Sequence, residues 1–163
     1  METGLTYTLE RVAWQFFGTL SFKSVKVVER VRLCMWFSLA RKLCRWFEVP
    51  WRKFVWALRQ EPGEITGRLH FHFLCAGVPP AAVQVATCFS IMAQWEKIGG
   101  GIARVREYDS RKHGLEYIVK CLGMNNSANL YEVGKFSSSS DGVMLSNSIW
   151  NPSLLSRVSV SSM

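Results

Sequence analysis

Two histidines stand one residue apart in the apolar run GRLHFHFLCAG, Gly67 to Gly77. Because alternate residues of a β-strand face the same side, His70 and His72 would project together, with their roots about 6 to 7 Å apart. The phenylalanines between and after them would face a core on the other side. Paired imidazoles at this separation can chelate a divalent metal ion, although histidine pairs on exposed strands are often only solvated.

A carboxylate on a neighbouring strand would complete such a site. The stretch KFVWALRQE predicts a strand that ends at Glu61, and PGEITG predicts the turn of a hairpin leading into the histidine strand. Glu61 is therefore a candidate third ligand, and Glu64 in the turn is the alternative. Imidazole with carboxylate suits Mn²⁺ or Mg²⁺, and also Co²⁺ or Zn²⁺, whereas the lack of a thiolate argues against a closed structural zinc site. An open site of this kind can polarise a phosphoryl oxygen.

A candidate nucleophile lies in the segment EYIVKCLG, near the end of a helix predicted to start at a Ser110 cap and to stop at Gly123. Tyr117 and Lys120 are spaced i, i+3 and so share one helix face. A phenolate can attack phosphorus and form a covalent ester, and a nearby lysine can stabilise the phosphate charge. Tyrosine and lysine at this spacing are common on helix surfaces, so the pair signifies little by itself.

Taken together, three motifs resemble those of the HUH endonuclease superfamily. FFGTLSF resembles the first motif of that family, HFHFL its His-hydrophobic-His motif and YIVK its Tyr-x-x-Lys motif, in the family's order on strand, strand and helix. The pattern is most similar to that of the single-tyrosine rolling-circle replication initiators, or Rep proteins, of small plasmids and single-stranded DNA viruses and phages. The resemblance covers Phe16 to Gly123.

The resemblance implies a metal-dependent enzyme that nicks and joins single-stranded DNA, with sequence or structure specificity, to initiate rolling-circle replication through a covalent 5′-phosphotyrosine. His70 and His72 would then bind Mn²⁺ or Mg²⁺, with Glu61 as the acidic ligand. Tyr117 would be the nucleophile, and Lys120 would position the scissile phosphate. The partner would be a single-stranded DNA origin. Because no P-loop sequence follows, a separate helicase and replication machinery would be needed.

The order of predicted elements is βαββαβα, with an alternative that includes a last strand at Leu130 to Phe136. This order predicts an α+β fold, an antiparallel sheet with helices packed on one face, ferredoxin-like or RNA-recognition-like as in the HUH nucleases. The first strand is expected to span Val12 to Phe22. The domain would span residues 1–123, or extend to 136 with the last strand, and residues 137–163 would be a Ser/Asn-rich flexible tail.

Two predicted helices have specific sequence signals. The first should run from a Ser24 cap to Phe47. The next should start at Pro79 and Pro80 and end at Gly99 to Gly101. The apolar stripe of the first helix is expected to comprise Val28, Val31, Met35, Leu39, Leu43 and Trp46.

The net charge of +8 and the pI near 9.5 favour a polyanionic partner, nucleic acid first and an anionic membrane second. A non-catalytic, RNA-recognition-like protein that stacks single-stranded nucleic acid on Phe17, Phe22 and Trp56 is the main alternative function. A peripheral membrane protein that binds through its basic, Trp-rich first helix is a further one.

Membrane insertion is not expected, because the longest apolar segment is interrupted by Arg41, Lys42 and Arg45. The N-terminal sequence does not look like a secretory signal, and the five cysteines lack Cys-x-x-Cys spacing. We therefore expect a location in the bacterial cytoplasm, or in a replication compartment of the host cell if the element is viral.

Overall fold

The computed structural model describes residues 9–63, 65–119 and 143–146. The strands are β1 (Phe16–Phe22), β2 (Val55–Pro62), β3 (Leu69–Ala76), β4 (Gly100–Glu107) and β5 (Val143–Leu145). The helices are α1 (Glu29–Trp46), α2 (Val85–Lys97) and α3 (Gly114–Val119). The strands form one sheet in the order β4-β1-β3-β2-β5, and every neighbouring pair is antiparallel. The predicted α+β class is confirmed, while the ferredoxin-like assignment stays a prediction.

The main core lies between one face of the sheet and helices α1 and α2. Trp36 of α1 lies against Trp56 and Phe73 of the sheet, with ring centroids 5.6 and 5.2 Å away. A Cβ at Gly18 would come within 2.3 Å of the Phe73 ring, so only glycine allows this ring to lie against β1. The two helices therefore pack on the sheet face that the phenylalanines of the HFHF run supply. The fully buried members of this core include Phe16, Leu20, Trp36, Leu39, Phe54, Phe71, Phe73, Ile91 and Trp95.

Helix α1 begins later than predicted and is rotated from the predicted apolar stripe. Ser24 does not cap it, because the Ser24 hydroxyl accepts the Lys26 N–H in the preceding turn and Val28 occupies the N-cap position. Burying the large Trp36 ring between two sheet aromatics sets the rotation, while Trp46, the other tryptophan of the helix, stays exposed. The buried residues are Arg32, Trp36, Leu39, Ala40, Leu43 and Cys44, whereas Val28, Val31 and Trp46 of the predicted stripe are exposed.

Short 3-10 turns replace two of the predicted helix starts. Pro80 opens the turn Pro80–Ala82, and α2 begins only at Val85. The turn Ser110–Lys112 precedes α3, and its cap is the Asp109 side chain, which accepts the Arg111 N–H, rather than Ser110. Proline suits the first residue of either helix type, so it could not distinguish between them. Similarly, β1 begins at Phe16 rather than Val12.

The opposite face of the sheet carries a second, smaller core. Leu9, Val12 and Trp14, which precede β1, and helix α3 cover part of this face. Ile118 of α3 is completely buried there. A Cβ at Gly114 would lie 2.9 Å from the Phe17 ring, so α3 begins in close contact with β1. Helix α3 therefore packs on the sheet face that carries the two histidines. The buried residues of this core are Leu9, Val12, Trp14, Phe17, Val55, Ala57, Leu74, Ala76 and Ile118.

The predicted helix end at Gly123 and the optional strand at Leu130 to Phe136 lie outside the described residues. Residues 143–146 fall within the predicted tail, yet β5 pairs with β2 and Ser146 is buried. The Ser146 N–H donates to the Trp56 carbonyl at 2.9 Å, and the Trp56 N–H donates to the Ser146 hydroxyl at 3.0 Å. The expectation of a loose tail therefore does not hold for these residues, because they satisfy hydrogen-bonding groups at the β2 edge. None of the helices in the described part of the chain has the length and apolar character that crossing a bilayer requires.

We expect Ser146→Ala to lower the free energy of unfolding by about 1 to 2 kcal/mol, because the buried Trp56 N–H would lose its acceptor. Urea denaturation followed by tryptophan fluorescence measures this change. Ser90→Ala, at an exposed position of α2, is the matched control and should change stability by less than about 0.5 kcal/mol. Equal stability of the two variants would show that the Ser146 hydroxyl does not stabilise the β2 edge.

Candidate metal centre

Glu61, His70 and His72 bring three ligand atoms together on the second face of the sheet. Antiparallel pairing of β2 with β3 places Glu61 opposite His70. Glu61 Oε1 lies 2.7 Å from His72 Nε2 and 3.4 Å from His70 Nε2. The two Nε2 atoms are 2.9 Å apart. All three side chains are partly shielded, with 24, 18 and 9% of their side-chain surfaces exposed for Glu61, His70 and His72.

Neighbouring groups fix the orientation of each ligand. The Thr19 hydroxyl lies 3.0 Å from Nδ1 of His72, and β1 places this threonine directly opposite the histidine. The Arg68 carbonyl lies 3.4 Å from Nδ1 of His70. Arg59 holds the second carboxylate oxygen of Glu61 at 2.8 Å. With each Nδ1 beside its own partner, both Nε2 atoms face Glu61.

The electrostatics of the cluster favour the protonation states that a metal requires. Burial lowers the pKa of His72, and the hydrogen bond and charge of Glu61 offset this only in part. Burial alone would raise the pKa of Glu61, but the His72 hydrogen bond and the charges of His72, Arg59 and His70 together lower it. A neutral imidazole and an ionised carboxylate are the forms that bind a metal ion.

The geometry of these atoms fits a small divalent cation. Ligand atoms about 2.1 Å from an ion at right angles to each other are about 3 Å apart, and the three observed separations lie near this value. If both imidazoles carry their proton on Nδ1, three lone-pair atoms converge on one point, which is favourable only when a positive charge lies between them. Two histidines and a carboxylate on one face leave further coordination positions open to water or substrate. The three residues could therefore hold a metal ion.

The cluster is linked to helix α3 through one aromatic ring. Phe17 lies parallel to the His72 ring, with centroids 6.0 Å apart and an interplanar angle of 14°. The same phenylalanine contacts the start of α3 at Gly114. Tyr117 belongs to α3, which places the backbone of the predicted nucleophile in a helix on the histidine face.

The predicted site residues are thus only partly described. Glu61, His70 and His72 come together as predicted, and Glu61 supplies the carboxylate oxygen of this cluster. Glu64, the alternative ligand, and Lys120 lie outside the described residues. The side chain of Tyr117 is likewise not described.

Sequence reasoning missed the groups that orient the ligands. The alternation of FFGTLSF could have shown that Thr19 shares a strand face with Phe17 and Ser21. Only the register between β1 and β3 shows that Thr19 lies opposite His72. Arg59 is two residues before Glu61, on the same strand face, and could have been inferred in the same way. Phe17, Phe22 and Trp56, the aromatics considered for base stacking, are all buried.

Comparisons of this chain with protein-family models, with curated proteins and with solved structures found no match. The likeness to the HUH endonucleases is therefore a resemblance of sequence motifs.

We expect Mn²⁺ to stabilise the protein by about 2.7 kcal/mol when its concentration is 100 times the dissociation constant, since the ion binds the folded cluster. His72→Ala should remove this stabilisation, because one of three ligands is lost. His113→Asn is the matched control, since His113 is exposed and asparagine tolerates its left-handed backbone. Thermal melting with and without Mn²⁺ measures the effect, and an equal response of the His72 variant would contradict the assignment.

We also expect Thr19→Val to weaken divalent metal binding by about 10- to 100-fold, because His72 would lose the hydroxyl that orients its ring. Isothermal titration calorimetry measures the dissociation constant. Ser21→Ala lies on the same face of β1 and removes a hydroxyl that donates to the Ile102 carbonyl, so it should leave metal affinity unchanged. Equal affinities for the two variants would assign Thr19 a role in strand packing only.

Proposed function

We propose that this protein is a metal-dependent endonuclease of the HUH type, which nicks and joins single-stranded DNA and initiates rolling-circle replication. The observation that carries the proposal is the cluster of Glu61, His70 and His72 on the sheet face against which α3 packs. A non-catalytic RNA-recognition-like protein is less well supported, because its candidate stacking residues Phe17 and Trp56 are buried.

In this proposal the metal ligands and the helix have separate tasks. Glu61, His70 and His72 would hold a divalent ion, which supplies Lewis-acid polarisation of a phosphoryl oxygen when bound. Thr19 and Arg59 keep two of these ligands in position. Tyr117 and Lys120 act directly on the phosphate, the tyrosine as nucleophile and the lysine as a neighbouring positive charge.

The covalent step exchanges one phosphate ester bond for another and so keeps the bond energy in the phosphotyrosine ester. The Tyr117 phenolate oxygen forms a bond to phosphorus, the bond from phosphorus to the 3′ oxygen breaks, and that oxygen takes up a proton as a free 3′-hydroxyl. The downstream strand remains attached to the phenol through its 5′-phosphate. Because a phenol, with an ordinary pKa of about 10, is a better leaving group than an alcohol, a 3′-hydroxyl can attack the ester and rejoin the strand without ATP.

Positive charge beside the cluster supports a polyanionic substrate. Arg104 of β4 is exposed and lies opposite Thr19, in the same row across the sheet as His72. Arg106 lies opposite Phe17, with its guanidinium carbon 5.0 Å from the ring centroid. An exposed arginine and a partly buried one on the strands beside the cluster would attract phosphates to the place where one could be cleaved.

The same proposal includes the partners and the location. A single-stranded DNA origin is the substrate, and a separate helicase with the replication machinery performs unwinding and synthesis. The reaction takes place in the bacterial cytoplasm, or in a replication compartment of the host cell if the element is viral.

The test uses single-stranded oligonucleotides labelled separately at each end and incubated with Mn²⁺. We expect only the 3′-end label to move to protein mass on a denaturing gel. Tyr117→Phe should reduce this adduct by at least about 100-fold, since phenylalanine has no nucleophilic oxygen.

Tyr108→Phe is the matched control and should leave adduct formation unchanged, because Tyr108 packs beside the second core. Excess EDTA should abolish the reaction for all variants. An undiminished adduct in the Tyr117 variant would overturn the nucleophile, and a shifted 5′-end label would overturn the polarity.

A further inference from the structure

A cationic site centred on Arg32 lies at the same end of the sheet as the metal-ligand cluster, but on the sheet face that α1 and α2 cover. Arg32 of α1 is only 8% exposed, although it carries a full positive charge. Its side chain donates to Gln60 Oε1 at 2.6 Å and to the Val27 carbonyl, and its guanidinium carbon is 5.9 Å from the Phe22 ring centroid. Within the described ranges, no carboxylate lies at ion-pair distance from this arginine.

A buried guanidinium held only by neutral acceptors is an unusual arrangement. Removing a charge from water costs several kcal/mol, and neutral hydrogen bonds offset only part of this cost. The neutral partners nevertheless fix the plane of the guanidinium. Arg32 is therefore a preorganised donor whose charge is available to an anion.

The surroundings of Arg32 are open to solvent and basic. Arg32 lines a small surface pocket together with Arg68, Ser24 and the apolar residues Phe22, Val25, Val27 and Leu69. Arg68 is exposed, as are Lys23 and Lys26 in the loop before α1. The nearby acid of α1 is Glu29, so the local charge is positive, and the N-terminal end of the α1 dipole adds to it.

Two consecutive residues, Arg68 and Leu69, connect the pocket to the metal-ligand cluster. Arg68 lines the pocket, and its carbonyl lies 3.4 Å from Nδ1 of His70. Leu69, which also lines the pocket, directly precedes His70 in β3. A chain of phosphates that passes the hairpin end of the sheet can therefore meet both sites.

We propose that Arg32 and Arg68 form a phosphate-binding pocket, which holds a backbone phosphate of the DNA strand beside the one presented to the metal-ligand cluster. The pocket would add a binding contact to the proposed function. It rests on that function only for the identification of the polymer as single-stranded DNA. The guanidinium N–H groups of Arg32 that Gln60 and Val27 do not use, together with a second arginine, match the oxygens of a phosphodiester. The pocket has room for about one water-sized group, so it would take a single phosphate oxygen and no base.

The test measures binding of a fluorescent single-stranded oligonucleotide by anisotropy in EDTA, so that cleavage does not contribute. Arg68→Gln should raise the dissociation constant about tenfold and reduce the salt-dependence slope by about 0.7, because one phosphate contact is lost. Arg52→Gln, which removes an exposed arginine from the turn after α1, is the control of equal charge and should change the constant less than twofold.

Arg32→Lys provides the second variant, since lysine keeps the charge but not the planar fork. It should weaken binding to a similar degree, and thermal melting will verify that it is folded. Mn²⁺-induced stabilisation should persist in Arg68→Gln, which separates loss of the pocket from damage to the metal-ligand cluster.

The outcomes distinguish the pocket from the proposed function. If the wild-type protein forms the covalent adduct and the Arg68 and Arg52 variants bind alike, the pocket is overturned and the function stands. If Arg68→Gln weakens binding selectively but no oligonucleotide forms an adduct, the pocket stands and the proposed function fails. Absence of any oligonucleotide binding by the wild-type protein overturns both.

Discussion

The antiparallel register between β2 and β3 is the constraint on which the metal-ligand cluster depends. It places Glu61 beside His70 and Arg59 beside His72, so the carboxylate, its arginine partner and both imidazoles share one face. A slip of one residue would turn the side chains of one strand to the other face, separating carboxylate from imidazoles. The core prevents such a slip, because Leu58 and Phe73, which lie opposite each other, are both buried under the helices.

The two faces of the sheet serve different purposes. One face is filled with aromatic and aliphatic side chains under α1 and α2, and most of the burial that stabilises the domain occurs there. The other face is divided between a small apolar core under α3 and the polar positions of Thr19, His70 and His72. This division explains why the three rings considered for base stacking are buried: Phe22 and Trp56 face the first core, and Phe17 is covered beside α3.

The period of two in HFHF was sufficient to predict that His70 and His72 face one way. The hairpin between Glu61 and His70 was sufficient to make Glu61 a candidate third ligand, with Glu64 in the turn as the alternative. These features are local, and local spacing determines them. The rotation of α1 was not predictable in this way, because Val31 and Met35 fit an apolar stripe as well as Trp36 and Ala40 do. Only the space between Trp56 and Phe73 decides between the two.

Long-range pairings account for the other differences. Thr19 becomes a partner of His72 because β1 and β3, which are 53 residues apart at this point, are neighbours in the sheet. Strand β5 lies in a Ser/Asn-rich context that predicts disorder, yet Ser146 satisfies the backbone of Trp56 on the β2 edge. Composition describes the average environment of a segment, and it contains no information about a particular unpaired edge.

The ring of Phe17 has a thermodynamic consequence, because it touches both the His72 imidazole and the first residue of α3. A shift of α3 along the sheet would move this ring and change the orientation of a metal ligand. Docking of the helix and the affinity of the proposed site for an ion would then be linked through a single coupling free energy. By reciprocity, whatever draws α3 towards or away from the sheet alters ion affinity by the same factor by which the ion alters the placement of α3.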